Sequence, residues 1–332
     1  MQKRTSVTTL MVCVVAMMMM MMMMMAVVLI AVFQLCYHPS EASEATEGVR
    51  PVPLPDARAE KRIREHRTVS RVDVERPVPA VQSPTPSDSL LSPELFDTLC
   101  REFAKDVRGT VTVAYGHEDA SYYYPSYEEA SLPRRAASVG KPLLAAGLFA
   151  ARPNTARGVN KQEIELCRRA ISISDNDAAN KVMDLVGIER ANSYVSAWGY
   201  TSTKYLRHYN SPAPAGGFTD FNQTSAADQL QFLRDIWQGR ILTNNEREML
   251  LKWMRHGERR SKIPRFFGKD YEVYNKTGET SQPLVENDVA IVARGKEVWY
   301  LAILTSDATE TDEVVRAGIA RLARDLITSF NE

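Results

Sequence analysis

The sequence predicts an α+β domain in three layers, helices on both faces of an antiparallel sheet, with an all-helical lobe inserted between the strands. Three observations predict it. Strand-like runs lie near both ends of residues 92–332, one long helical block fills the middle from Lys161 to Met254, and a helix closes each end. Strands alternating with single helices would give a parallel sheet; strands segregated from a block of helices give an antiparallel one.

Ser92-Pro93-Glu94 starts the first helix with a capping hydroxyl, a proline whose fixed φ suits the first turn, and an acid at the positive helix end. Leu95, Phe96, Leu99 and Phe103 share one face, and Gly109 ends the helix. Thr110 to Ala114 alternates like a strand, with Tyr122–Tyr124 as its hairpin partner. Tyr271–Tyr274 is a further strand-like run, and Asp288–Val292 and Val298–Leu304 read as two strands about a turn at Arg294-Gly295-Lys296. Val314, Ile319, Leu322, Leu326 and Ile327 give the last helix, Glu313–Phe330, an apolar side.

Two segments of different character come before this domain. Leu10–Phe33 is an unbroken apolar run that includes nine consecutive methionines, Met17–Met25, and about 20 apolar residues suffice to cross a bilayer. Lys3 and Arg4 precede it and Glu41, Glu44 and Glu47 follow, so the charge bias puts the rest of the chain outside the cytoplasm. A retained single-pass anchor in the cell membrane is the preferred reading; cleavage near Ala42 would instead release a secreted domain. His38–Leu90 is rich in proline and poor in large apolar residues, as a semi-rigid spacer would be. The chain thus divides into a cytoplasmic stub and anchor (1–37), a charged Pro-rich linker (38–91) and a folded domain (92–332), periplasmic or on the cell surface.

Composition removes several function classes. The chain has 332 residues with 41 basic and 41 acidic side chains, so no charge excess draws it to a nucleic acid. Its histidines are scattered without ligand spacing, so neither a metal nor another cofactor is expected. Cys100 and Cys167 read as two buried thiols rather than a disulfide framework. A monomer is expected.

Three short words carry the chemistry. In Ser138-Val139-Gly140-Lys141 the serine and lysine are one helical turn apart, so the amine reaches the hydroxyl. A serine needs a base to become a nucleophile, and lysine serves only when burial and nearby cations bring its pKa from about 10.4 towards neutrality. Ser174-Asp175-Asn176 supplies a hydroxyl that can relay a proton and an amide that can hold a substrate amide. Lys276-Thr277-Gly278 supplies a cation and a hydroxyl for a carboxylate, and a glycine that allows close approach. Alone, the second word is also a good helix cap and the third a good surface turn.

Together and in this order, the three words resemble the class A β-lactamase and penicillin-binding protein superfamily of serine acyl enzymes. The wider text agrees: Ser174-Asp-Asn-Asp-Ala-Ala-Asn180, Gly199 and Glu286-Asn-Asp-Val-Ala-Ile-Val292 are similar to the class A pattern. The resemblance covers Ser92 to Phe330 and implies a β-lactamase/transpeptidase-like fold. It implies Ser138 as the acylated nucleophile, Lys141 as its base and Ser174 as donor to the leaving nitrogen. Asn176 would hold the substrate amide, Lys276, Thr277 and Gly278 its carboxylate end, and the backbone N–H groups of Ser138 and Glu279 its oxyanion. The implied substrate is a β-lactam or a cell-wall peptide.

One part of the pattern is missing. Class A enzymes carry a glutamate in a Glu-x-x-Leu-Asn word after the second motif, which activates the water that frees the acyl-serine. The corresponding stretch here is Tyr205 to Asp220; Asn210 falls where the glutamate belongs, with Arg207 and Asp220 as a bridge across the loop neck. His208 reads as a surface residue of that loop. The expectation is an amide-cleaving serine hydrolase whose hydrolysis of its own acyl-enzyme is in question. The alternatives are a D-alanyl-D-alanine peptidase or transpeptidase, and a sensor that stays acylated.

Overall fold

Period-two alternation with apolar residues at both phases builds the sheet at the centre of the domain. In β7 (Glu297–Ser306), Trp299, Leu301 and Ile303 point to one core, and Tyr300, Ala302 and Leu304 to the other. β1 (Thr110–His117) and β6 (Leu284–Arg294) divide the same way, so both faces of the sheet must be covered. The structure is a computed structural model that describes residues 91–152, 158–211 and 221–329. The expected span at 10–33, all but the last residue of the linker, and Asp220 lie outside the described residues. No helix among those described is long and apolar enough to cross a membrane.

With β2 (Ala120–Tyr124) and β5 (Glu272–Ser281), the sheet has the order β2-β1-β7-β6-β5 and every pair is antiparallel. One face is covered by α1 (Pro93–Val107) and the C-terminal helix (Asp312–Thr328). These two pack closely because Gly318 has no side chain: a Cβ there would lie 2.8 Å from the Phe103 ring. The predicted cap of α1 is present, with Leu95 N donating to the Ser92 hydroxyl at 3.1 Å. Its far end differs slightly from expectation, since Arg108, rather than Gly109, adopts the left-handed conformation that stops the helix.

The opposite face carries the helical lobe. A two-residue strand, β3 (Arg134–Arg135), pairs with β4 (Gln223–Thr224), and between them lie α3 (Lys141–Ala151), α4 (Lys161–Ser172), α5 (Asn176–Val186) and α6 (Ile188–Ala197). α2 (Tyr127–Ala130) is a single turn before β3, while α7 (Ala226–Trp237) and α8 (Asn244–Arg255) follow β4 and lead back to β5. α3 is buried along nearly its whole length, so it forms the axis around which the lobe packs. Cys100 and Cys167 are free and buried, in α1 and α4.

Beneath β5 lies a buried ionic cluster. Lys262, with no exposed surface, meets Glu286 at 2.6 Å and Glu279 at 3.2 Å and donates to the Asn287 carbonyl at 2.9 Å. Arg316 reaches Glu286 from the C-terminal helix at 2.8 Å. Removing one member of such a cluster leaves the others buried and under-compensated. Lys262→Met is therefore expected to destabilise the domain by about 3 kcal/mol, read as a drop in denaturant midpoint; an unchanged midpoint would show that the cluster contributes nothing net.

Candidate active site

The Ser138 turn is held between the sheet and the lobe. Residues Ala137–Gly140 form a single 3-10 turn that runs into α3, and Ala137 enters it with φ +44°, a conformation that costs a residue with a Cβ about 1 kcal/mol or more. Several bonds hold it there. Ala136 N donates to the Asn222 carbonyl at 2.8 Å, the Asn287 amide donates to the Arg135 carbonyl at 2.9 Å, and the Tyr205 hydroxyl donates to the Gly140 carbonyl at 2.7 Å. Val139 and Gly140 are buried, whereas Ser138 retains partial exposure. The turn therefore presents a serine at the mouth of a rigid helix.

β5 passes directly beside this turn. A Cβ on Gly278 would lie 2.8 Å from the Ala136 carbonyl oxygen and 3.0 Å from the Ser138 nitrogen. Glycine is needed here for contact rather than for a turn. The third word lies inside the strand, not after it, and β5 is the edge strand, so part of its backbone faces the serine turn instead of another strand.

The second word supplies what lies between the two lysines. Ser174 stands at φ +60° between α4 and α5, and Asp175 caps α5 by accepting from Ala178 N at 3.0 Å. The capping role thus belongs to the middle residue, which leaves Ser174 and Asn176 for the cleft. Lys141 Nζ donates to the Ser174 carbonyl at 2.7 Å and to Asn176 Oδ1 at 2.6 Å, and lies 3.5 Å from the Ser174 hydroxyl. Lys276 Nζ reaches the same hydroxyl from the other side at 3.0 Å and donates to the Thr277 carbonyl at 2.8 Å. A hydroxyl whose lone pairs are engaged by two amines keeps its own proton for a third group. The Thr277 hydroxyl is buried and has no hydrogen-bond partner among the described residues, so an acceptor or donor in the cleft would satisfy it.

Burial shifts the pKa of both lysines downward. Burial, opposed by Asp175 and assisted by Arg259, brings the Lys141 pKa down to about 7, so much of it is free amine at neutral pH. Burial and the neighbouring Lys141 and Arg259 also pull Lys276 well down. Arg259 is a site residue that the sequence did not suggest: it pairs with Glu279, the strand residue just past Gly278, and its carbonyl accepts from the Asn275 amide at 3.2 Å. Only the packing of the Gly257–Ile263 connection against β5 brings it there.

The loop after α6 departs from the sequence alignment. Asn210, the expected stand-in for the glutamate, is exposed at φ +58°. The loop residue that faces Lys141 is the preceding one: the Tyr209 ring centroid lies 4.8 Å from Lys141 Nζ. Its backbone is clamped at both polar groups, Tyr209 N donating to Asn180 Oδ1 at 2.7 Å and the Asn180 amide donating to the Tyr209 carbonyl at 3.1 Å. Asn180 closes the Ser174–Asn180 word quoted above, and its spacing put it on α5, but nothing in the sequence gave its partner. The neighbouring loop text has no anchoring motif that would show which of its residues turns inward. Arg207 N and Leu206 N both donate to Asn222 Oδ1, which ties this loop to the serine turn. His208 pairs with Asp184 on the surface at 2.8 Å.

Residues 147–330 match the model of the β-lactamase enzyme family. A β-lactamase of Rhodobacter capsulatus is 28% identical over 178 residues, 53% of this chain and 60% of that protein. β-lactamase 1 of Streptomyces cacaoi is 29% identical over 166 residues, 46% of this chain and 50% of that protein. The chain thus spans little more than half the length of these two relatives. Among solved structures, an ancestral class A β-lactamase superimposes with a TM-score of 0.61 at 19% identity, covering 70% of this chain and 99% of that one. The β-lactamase of Sphaerobacter thermophilus superimposes with a TM-score of 0.62 at 18% identity, over 71% and 97% of the two chains. The chain belongs to the β-lactamase enzyme family and is built on the class A β-lactamase fold.

Proposed function

We propose that this protein cleaves an amide of the β-lactam type by forming an acyl-enzyme at Ser138. The observation that carries the reading is the single hydroxyl of Ser174 held between Lys141, one helical turn past Ser138, and Lys276. As the Ser138 oxygen bonds to the carbonyl carbon, its proton passes to the neutral amine of Lys141. The carbonyl becomes an oxyanion that accepts from the backbone N–H groups of Ser138 and Glu279, donors worth about 2.7–4 kcal/mol each. The C–N bond then breaks, the Ser174 hydroxyl gives its proton to the leaving nitrogen, and Lys141 restores that proton. Asn176 holds the substrate's amide, while Lys276, Thr277 and Gly278 receive its carboxylate end. The Arg259 and Lys276 charges favour an anionic substrate in this cleft.

A second reading is favoured by one observation: no carboxylate hydrogen-bonds Lys141 among the described residues. Acyl transfer within a cell-wall peptide, as a D-alanyl-D-alanine peptidase or transpeptidase performs it, needs acylation but not fast hydrolysis. The flanking charges of residues 10–33 support an extracytoplasmic, membrane-anchored placement for either activity.

A fluorescent penicillin tests the reading. Covalent labelling of the full chain is expected, and Ser138→Ala should abolish it. Equal labelling of the alanine variant, or none of the wild type at any concentration, would exclude an acyl-enzyme at Ser138. A chromogenic cephalosporin then separates the two activities by whether turnover follows labelling.

A further inference from the structure

Resting on the acyl-enzyme reading above, we propose that Tyr209 sets the lifetime of the acyl-serine and makes the site a slow hydrolase. Hydrolysis forms a bond from water oxygen to the acyl carbon and breaks the bond from that carbon to the Ser138 oxygen. The water's proton must go to a base, and the serine oxygen must regain one. Among the described residues, the groups in contact with Lys141 Nζ supply no second base, and Lys276, the other amine at the Ser174 hydroxyl, is engaged as a donor to that hydroxyl and to the Thr277 carbonyl. From the second word come the Ser174 carbonyl and hydroxyl and the Asn176 amide oxygen, none of which accepts a proton. The loop contributes the Tyr209 ring face. The nearby carboxylates are engaged elsewhere: Asp175 caps α5 and pairs with Arg169, and Glu279 pairs with Arg259 and Lys262.

Tyr209 is poorly suited to fill the gap. Its hydroxyl is buried, and burial pushes the phenol's pKa up against a smaller opposite effect of Asn222, so it stays protonated at neutral pH. Its ring lies where it attracts Lys141 in the charged form, which is the form that cannot serve as base. The clamp by Asn180 fixes the Tyr209 backbone at this point. Among the described residues Lys141 is then left to serve both half-reactions: it takes the water's proton and returns it to the serine oxygen. A positioned second base contributes about 10²–10⁴ in rate, and none stands against Lys141 among the described residues.

The test follows the mass of the full chain after a short exposure to benzylpenicillin and removal of the excess. The wild type should hold the added mass for many minutes. Tyr209→Glu should shorten that lifetime about 100-fold, whereas Tyr209→Phe, Asn210→Glu and Asp220→Asn should leave it within a few-fold of the wild type. A folded Tyr209→Glu protein that acylates and keeps the wild-type lifetime overturns the proposal, as does a large effect of Asn210→Glu or Asp220→Asn. Should Tyr209→Glu fail to fold by its melting curve, hydroxylamine replaces it as the probe. This nucleophile needs no base and should release the wild-type adduct at least tenfold faster than water; an unchanged lifetime overturns the proposal. A wild type that never gains the mass instead refutes acylation at Ser138, so the two failures are distinct.

Discussion

Lys141→Met is expected to slow acylation by penicillin about 10²–10⁴-fold and to abolish its dependence on pH. In the wild type the acylation rate should rise as pH passes through about 7, because the proposed base is the free amine and burial depresses the lysine pKa to about that value. Methionine preserves the stem's packing in a residue that is only 1% exposed, so the loss would report chemistry rather than collapse of the cleft. Stability provides a second readout with its own sign. Between about 7 and the ordinary lysine value of 10.5, the unfolded chain binds more protons at this site than the folded one. The wild type should therefore gain stability relative to Lys141→Met as pH rises through that window, the burial penalty being fully present below it. Stopped-flow labelling and denaturant melts at several pH values check both. A methionine variant that acylates at the wild-type rate would remove Lys141 from the mechanism.

Gly278→Ala is expected to cost about 10²–10³ in acylation rate together with about 1–3 kcal/mol of stability. The added methyl meets the Ala136 carbonyl oxygen at 2.8 Å and the Ser138 nitrogen at 3.0 Å, and both are backbone atoms that no rotamer change can move aside. The turn is pinned from Asn222, Asn287 and Tyr205, so β5 and the serine turn would have to separate. The two proposed oxyanion donors, which belong to these two elements, would lose their shared focus. Comparing the rate of labelling with the denaturant midpoint distinguishes misplacement from unfolding. An alanine variant with wild-type kinetics would show that the strand and turn do not have to touch.

Much of this site was legible before any coordinates. The three words reached one cleft because each begins or lines an element whose pattern is strong: an apolar helix after Lys141, a capped helix after Asp175, and a strand around Lys276. Ser92 and its cap, the hairpin of β1 with β2 and the last two strands were also readable, since they depend on neighbours in the chain. Less was legible where a contact joins distant residues through a loop. Nothing in the sequence marks Tyr209, Arg259 or Lys262, because loop residues carry no period to show which way they face.

The sequence by itself therefore determined the family and the layered α+β architecture, and it singled out Ser138, Lys141, Ser174 and Lys276 as the candidates for the proposed chemistry. These follow from local spacing and from the periodicity of buried faces, which any chain with this pattern must satisfy. Only the tertiary structure decided what surrounds Lys141. Burial brings its pKa near neutrality, the Asn180 clamp turns Tyr209 rather than Asn210 towards it, and the strand–turn contact at Gly278 places β5 against Ser138. Those are properties of three-dimensional contact and local dielectric, and neither is written in the order of residues along a loop.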